Sequence, residues 1–234
     1  MRLAALLLFI LAVAVSGALL AAPRDDDPIP PRAMPAPTRT AEPAPSATPA
    51  PLPPVGPAEQ LPPARAAGVP WSGRLIHGRM LPESGPGYIT WDPILKRVPN
   101  RSWRRWGTGR LLRTVERVLA AYARRHPDSG PVLVADLSRP RGGDFGPRFG
   151  GIGHASHQNG LDVDVCYPRV DGRLRAPARP ELVDRAAAQE LVDAFVREGA
   201  ERVFVGPSLD LRGPPDVVQP LVNHDNHLHV RLPG

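Results

Sequence analysis

At 234 residues, of which 42% are hydrophobic, the chain has room for one ordinary domain plus extensions. The formal charge is +6 and Lys96 is the one lysine, so arginine carries the basic balance. No compact basic patch with interleaved aromatics marks a nucleic-acid binder, and Cys166, the sole cysteine, rules out an internal disulfide or a cysteine zinc cluster.

Residues Leu3 to Ala22 are almost wholly apolar, with Arg2 before them and Arg24 and Asp25-Asp26-Asp27 after them. The pattern predicts a signal peptide or a signal anchor over 1–22. Ser16-Gly17-Ala18 offers a small-residue cleavage site, and the run is also long enough to span a bilayer uncleaved. Either way the segment meets the membrane and the rest is exported, to the periplasm or cell envelope. Residues 23–70 are rich in Pro and Ala, as in Pro51-Leu52-Pro53-Pro54. They lack apolar periodicity and predict a disordered, semi-extended linker. The folded domain is then expected over 71–234, long enough to bury a core.

Within that domain, Trp91, Trp103 and Trp106 read mainly as core or core-rim residues. Leu111, Leu112, Val115, Val118, Leu119 and Tyr122 recur at helical spacing, predicting a helix from Thr108 to Arg125 with Thr108 as N-cap. Pro131 to Leu137 reads as a buried strand. Ser138 to Gly153 is a Gly- and Arg-rich loop of the length that often carries function. Leu161 to Cys166 alternates, with Asp162, Asp164 and Cys166 on one face. A second helix is predicted over Glu181 to Glu198, with Pro180 at its start and Gly199 at its stop. Arg202 to Val205 is a short strand, and His227 to Leu232 the last one.

Five of the seven histidines fall in two short segments, Gly153 to Asp164 and Asn223 to His229. Imidazole nitrogen and carboxylate oxygen are the ligands a catalytic zinc takes. His227 and His229 leave one face of their strand, about 7 Å apart. If that strand pairs with Leu161–Cys166, a Zn2+ ion between them would take Asp164 and His229, with His157 from the preceding loop. Three ligands leave a fourth position open, as catalysis requires. The spacing of His154 and His157, with no glutamate between them, does not fit a helical His-Glu-x-x-His metalloprotease. The proton-accepting base is expected to be His227, with His224 as second choice. His154 and Asp162 are expected behind the ligands, orienting them or adding one more. Cys166 reads as a buried small hydrophobe. His77 and His126 stand outside both clusters and read as surface residues. Arg139 or Arg141, bordering the loop, is a candidate for a substrate carboxylate or the oxyanion.

The stretch His154-Ala-Ser-His157-Gln-Asn-Gly-Leu-Asp-Val-Asp164 and the stretch Asn223-His-Asp-Asn-His227-Leu-His229-Val-Arg-Leu232 resemble the penicillin-insensitive murein endopeptidases, grouped with the lysostaphin-type and D-alanyl-D-alanine metallopeptidases. Leu81-Pro-Glu-Ser-Gly-Pro-Gly-Tyr88, Arg104-Arg-Trp-Gly-Thr108 and Asp136-Leu-Ser-Arg-Pro-Arg-Gly-Gly143 extend the resemblance over most of 75–233. It implies an α+β domain, with a small antiparallel sheet carrying a zinc site and helices flanking it. It implies zinc on His157, Asp164 and His229, with His227 catalytic and His154 and His224 close by. The implied substrate is peptidoglycan, cut at D-alanyl–diaminopimelyl crosslinks without a serine nucleophile, hence unaffected by β-lactams. Family members often have Asp-Asp-His where this chain has Asp225-Asn226-His227. A D-alanyl-D-alanine carboxypeptidase and a non-catalytic wall-binding domain are the alternatives on the same scaffold.

Overall fold

The computed structural model describes residues 62–146 and 154–234. The expected leader and most of the expected linker lie outside the described residues, as does the 147–153 part of the glycine-rich loop. Among the described residues no helix is long and apolar enough to cross a membrane.

Eleven strands and two α-helices are described. They are β1 (Arg65–Val69), β2 (Ser72–Ile76), β3 (Arg79–Met80), β4 (Ser84–Gly85), β5 (Tyr88–Thr90), β6 (Trp106–Gly107), α1 (Gly109–Arg125), β7 (Val132–Val134), β8 (Asp162–Cys166), α2 (Arg185–Arg197), β9 (Arg202–Val205), β10 (Val218–Pro220) and β11 (His227–Arg231). Seven form the main sheet, in the order β10-β9-β11-β8-β7-β5-β4. The domain is α+β as expected, but its sheet is larger than predicted and mixed. The β9–β10 and β5–β7 pairs are parallel. Parallel neighbours need a long crossover, and α1 supplies one between β5 and β7. The central β8–β11 pair is antiparallel, with His229 opposite Asp164 and Arg231 opposite Asp162.

Alternation along these two strands separates core from chemistry. Val163, Val165, Leu228 and Val230 join the apolar faces of α1 and α2 in one buried cluster. α1 begins where the sequence predicts, since the Thr108 hydroxyl accepts from the Leu111 amide at 3.2 Å. α2 starts later than predicted. Pro180–Leu182 forms a separate 3-10 turn and Val183 is extended. Asp184 then caps α2, accepting from the Ala187 amide at 3.1 Å. Pro180 thus opens a turn, and the stronger cap sets the helix start.

A second correction concerns the domain boundary. β1 starts at Arg65, inside the stretch read as linker, and pairs with β2 across the two-residue turn Pro70-Trp71. Arg-Ala-Ala-Gly-Val has no strand signature of its own; its partner strand supplies the structure. Trp91 is buried beside Leu133, Ala135 and Cys166, while Trp103 and Trp106 are half-buried.

Candidate metal centre and catalytic cavity

Asp164 projects from the polar face of β8 and His229 from the facing position of β11. His157 comes from the turn before β8, with its backbone in the left-handed region at φ 67. That conformation is costly for a non-glycine residue, and such strain collects at functional sites. Here the amide of His157 donates to Asp162 Oδ2 at 3.3 Å, which holds the turn.

Three ligand-capable atoms meet at the centre. His157 Nε2 lies 3.3 Å from His229 Nδ1. Asp164 Oδ1 lies 3.3 Å from the first and 3.2 Å from the second. Yet this buried oxygen has no hydrogen-bond partner of acceptable geometry. An orphaned carboxylate oxygen facing two imidazole nitrogens is an unfavourable arrangement on its own. It suits a cation. Tetrahedral zinc with bonds of about 2.0–2.1 Å separates its ligand atoms by about 3.3–3.4 Å, and the observed triangle has that size.

The other nitrogen of each imidazole is fixed in the way metal-ligating histidines usually are. His157 Nδ1 donates to the Leu137 carbonyl at 3.0 Å. His229 Nε2 donates to Asp162 Oδ1 at 2.8 Å. Both lone pairs are thereby turned inward. Burial opposes ionisation of Asp164, but the imidazoles of His157 and His227 that face it hold its pKa well below the usual value. Burial also works to raise Asp162, and the hydrogen bond from His229 outweighs it, leaving a pKa of about 2. Burial keeps His157 neutral, as a ligand must be. His229 is opposed by burial too, but its hydrogen bond to Asp162 and the charge of Asp164 raise it to about 9; a metal ion between His229 and Asp164 would take the place of the proton on Nδ1.

His154, His157 and Asp164 also form a group whose ligand atoms all lie within 4.8 Å, so this group can hold a metal ion. His154 is the loosest member. Its Nδ1 is 3.7 Å from Asp164 Oδ2, while its Nε2 binds Asp136 Oδ2 at 2.7 Å. The His157–His229–Asp164 triangle is tighter.

His227 and His224 stand at the edge of this centre. His227 Nδ1 donates to Asn226 Oδ1 at 2.6 Å, which leaves Nε2 as an acceptor, 3.7 Å from Asp164 Oδ1. Burial depresses its pKa to about 4, so the ring is neutral at neutral pH. The His224 ring lies 4.7 Å from that of His227, and its Nδ1 donates to the Val222 carbonyl at 2.9 Å.

Arg139 and Arg141 do not line the cavity around the triangle. Arg139 Nη1 donates to the Asp144 carbonyl at 2.5 Å. The Arg141 carbonyl accepts from Leu75, and Gly143 N donates to Gln158 O. Gly142, at φ 70, fits between Arg74 and Gln158 where a side chain would collide with backbone. This segment faces the β1–β2 hairpin. The arginines that line the cavity are Arg104 and Arg231.

A buried network behind the site was not identified from the sequence. Asp136 is wholly inaccessible. It accepts from both Nε and Nη2 of Arg104, from Asn100 Nδ2 at 3.0 Å and from His154. Burial works to raise its pKa, but the bonds from Arg104 and His154 win and hold it at about 2. The readable signal was an aspartate ending a wholly apolar run. His77 is exposed, His126 pairs with Glu190 at 2.5 Å, and neither lines the cavity.

The cavity has a volume of about 860 Å³ and brings together Trp71, His154, His227, His229 and the exposed Leu221 and Val222. Known proteins resemble this chain in sequence. A family model described as penicillin-insensitive murein endopeptidase matches residues 66–202. A Klebsiella pneumoniae protein named penicillin-insensitive murein endopeptidase is 28% identical over 195 residues, covering 72% of this chain and 66% of that protein. A Yersinia pestis protein of the same name is 30% identical over 155 residues, with 55% and 54% covered. One from Citrobacter koseri is 33% identical over 129 residues, with 44% and 45% covered. The chain thus spans a little under two thirds of the first relative's length and about half that of the others. The family model covers more than half of the chain, including His154, His157 and Asp164, so the chain belongs to the penicillin-insensitive murein endopeptidase family.

Proposed function

We propose that the chain is a zinc-dependent murein endopeptidase of the periplasm or cell envelope, acting on peptidoglycan. The observation that carries this reading is the orphaned Asp164 Oδ1 between His157 Nε2 and His229 Nδ1, inside the cavity that also holds His227. These three side chains would hold the ion, with His154 and Asp162 behind them. When bound, zinc supplies Lewis acidity, lowering the pKa of a water and polarising the amide carbonyl.

The protein's own residues do the rest. Neutral His227 accepts the proton of the attacking water at Nε2 and passes it to the leaving amine. Asn226 holds the ring in the tautomer this needs. His224 packs beside it and keeps its Nε2 open to the cavity. Asp162 and the Leu137 carbonyl fix the ligand rings. A cavity of about 860 Å³ has room for more than a single terminal residue, in keeping with internal cleavage. The bond proposed is the D-alanyl–diaminopimelyl crosslink. The route forms no acyl-enzyme, so β-lactams should not inhibit it. Residues 1–22 would export or anchor the chain, and the Pro/Ala-rich stretch would give it reach.

The test is digestion of purified, penicillin-treated sacculi, with and without chelator, followed by mass spectrometry of the soluble muropeptides. Chelator-sensitive conversion of crosslinked dimers to monomers is expected. Loss of only a terminal alanine would make the chain a carboxypeptidase. Binding without product would make it a wall-binding domain.

A further inference from the structure

We propose that Arg231, flanked by Trp71, is a carboxylate subsite, and that it selects substrates with a free carboxylate on the carbon bearing the released amine. The inference rests on the endopeptidase reading above.

β11 presents His227, His229 and Arg231 on one face at two-residue steps. Arg231 is only 9% exposed and lines the same cavity as the two histidines. Its Nε donates to Asp162 Oδ1 at 2.7 Å. The same oxygen accepts from His229 Nε2 at 2.8 Å, so the guanidinium sits one shared atom away from a ligand ring. Among the described residues, Nη1 and Nη2 of Arg231 have no hydrogen-bond partner. Both nitrogens are still reached by solvent, so they stay open to an oxygen ligand that enters the cavity. Asp162 is shared with His229, so it does not give Arg231 a partner of its own. The planar fork suits a carboxylate, and peptidoglycan stems supply carboxylates beside the crosslink.

Trp71 completes the site. It is 60% exposed, at the turn of the β1–β2 hairpin, and its ring centre lies 5.9 Å from the Arg231 guanidinium carbon. The hairpin is not loose. The Gln158 amide donates to the Pro70 carbonyl at 2.9 Å, and Asn159 Nδ2 to the Gly68 carbonyl at 3.3 Å. The turn that carries His157 therefore also positions the indole. A fixed apolar ring beside a charge pair displaces water and strengthens the pair when substrate is bound.

The experiment uses two crosslinked muropeptide dimers that differ only in that carboxylate, free in one and amidated in the other. The wild type should show at least a tenfold higher kcat/KM on the free acid, mostly through KM. Arg231→Lys keeps a charge for Asp162 but loses the fork, and should bring the ratio near one with metal content unchanged by elemental analysis. Trp71→Ala, at an exposed turn, should raise KM for the acid and shrink the ratio several-fold; it tests the site even if the Arg231 variant misfolds. Equal wild-type rates on acid and amide would overturn the subsite and leave the endopeptidase reading intact. An unchanged ratio in both variants would also overturn it. Cleavage of neither dimer would remove the endopeptidase reading and this inference with it.

Discussion

His229 and Asp162 are joined by a 2.8 Å hydrogen bond from the ring Nε2 to Oδ1, and that bond turns the opposite nitrogen of His229 toward Asp164. The tautomer of the ring is thus set by a residue that faces Arg231, not His229, across the strand pair. Asp162→Asn should keep the shape and weaken the orientation. Metal affinity should fall by about 10- to 100-fold, as measured by chelator competition.

His227 and His157 should separate by phenotype. His227→Ala should lower kcat by about 10²- to 10⁴-fold with metal retained. His157→Ala should lose metal and turnover together. Elemental analysis beside a muropeptide assay distinguishes them. Metal loss in the His227 variant would count against its role as base.

Arg104 and Asp136 are both inaccessible, and each is the other's main partner. Arg104→Ala leaves a buried carboxylate without its cation and should cost about 3–5 kcal/mol in denaturant unfolding. The pair also predicts acid sensitivity. Asp136 has a folded pKa of about 2 against an ordinary 3.8. A depressed pKa contributes stability that is full above the unfolded value and lost as pH falls from about 4 toward about 2. Asp136→Asn should flatten that part of the stability profile.

Cys166 is buried beside Trp91 and Leu133, and burial pushes its thiol well above the usual range. It should resist iodoacetamide in the native protein and react at once after denaturation, as followed by intact mass. Rapid labelling of the folded protein would contradict the packing described for β8.

The two helices and the strands around the site were legible because their apolar spacing is strong. Leu111 to Tyr122 leaves no other reading, and neither does the alternation of Leu161 to Cys166. The start of α2 was misread because Pro180 is a good helix opener, while the competing cap at Asp184 has no distinguishing spacing. β1 was missed because its residues carry no pattern; β2 and the turn at Gln158 and Asn159 hold it. The grouping of His157, Asp164 and His229 could be reasoned from strand pairing. The link from Asp136 to Arg104 could not, since it joins side chains 32 residues apart across irregular segments. Arg139 and Arg141 had the right chemistry in the right loop, but the glycines beside them turn that segment toward the hairpin.

β11 puts a proton acceptor, a ligand and a guanidinium on one side, and Leu228 and Val230 on the other. One residue inserted just after Asn226, with the pairing otherwise kept, would exchange the two sets. Three imidazole or guanidinium groups would enter the oil and two aliphatic groups the cavity. In this strand, then, losing the reaction and losing the fold are one event. Mutational scans should find few positions there where an inactive protein is still a stable one.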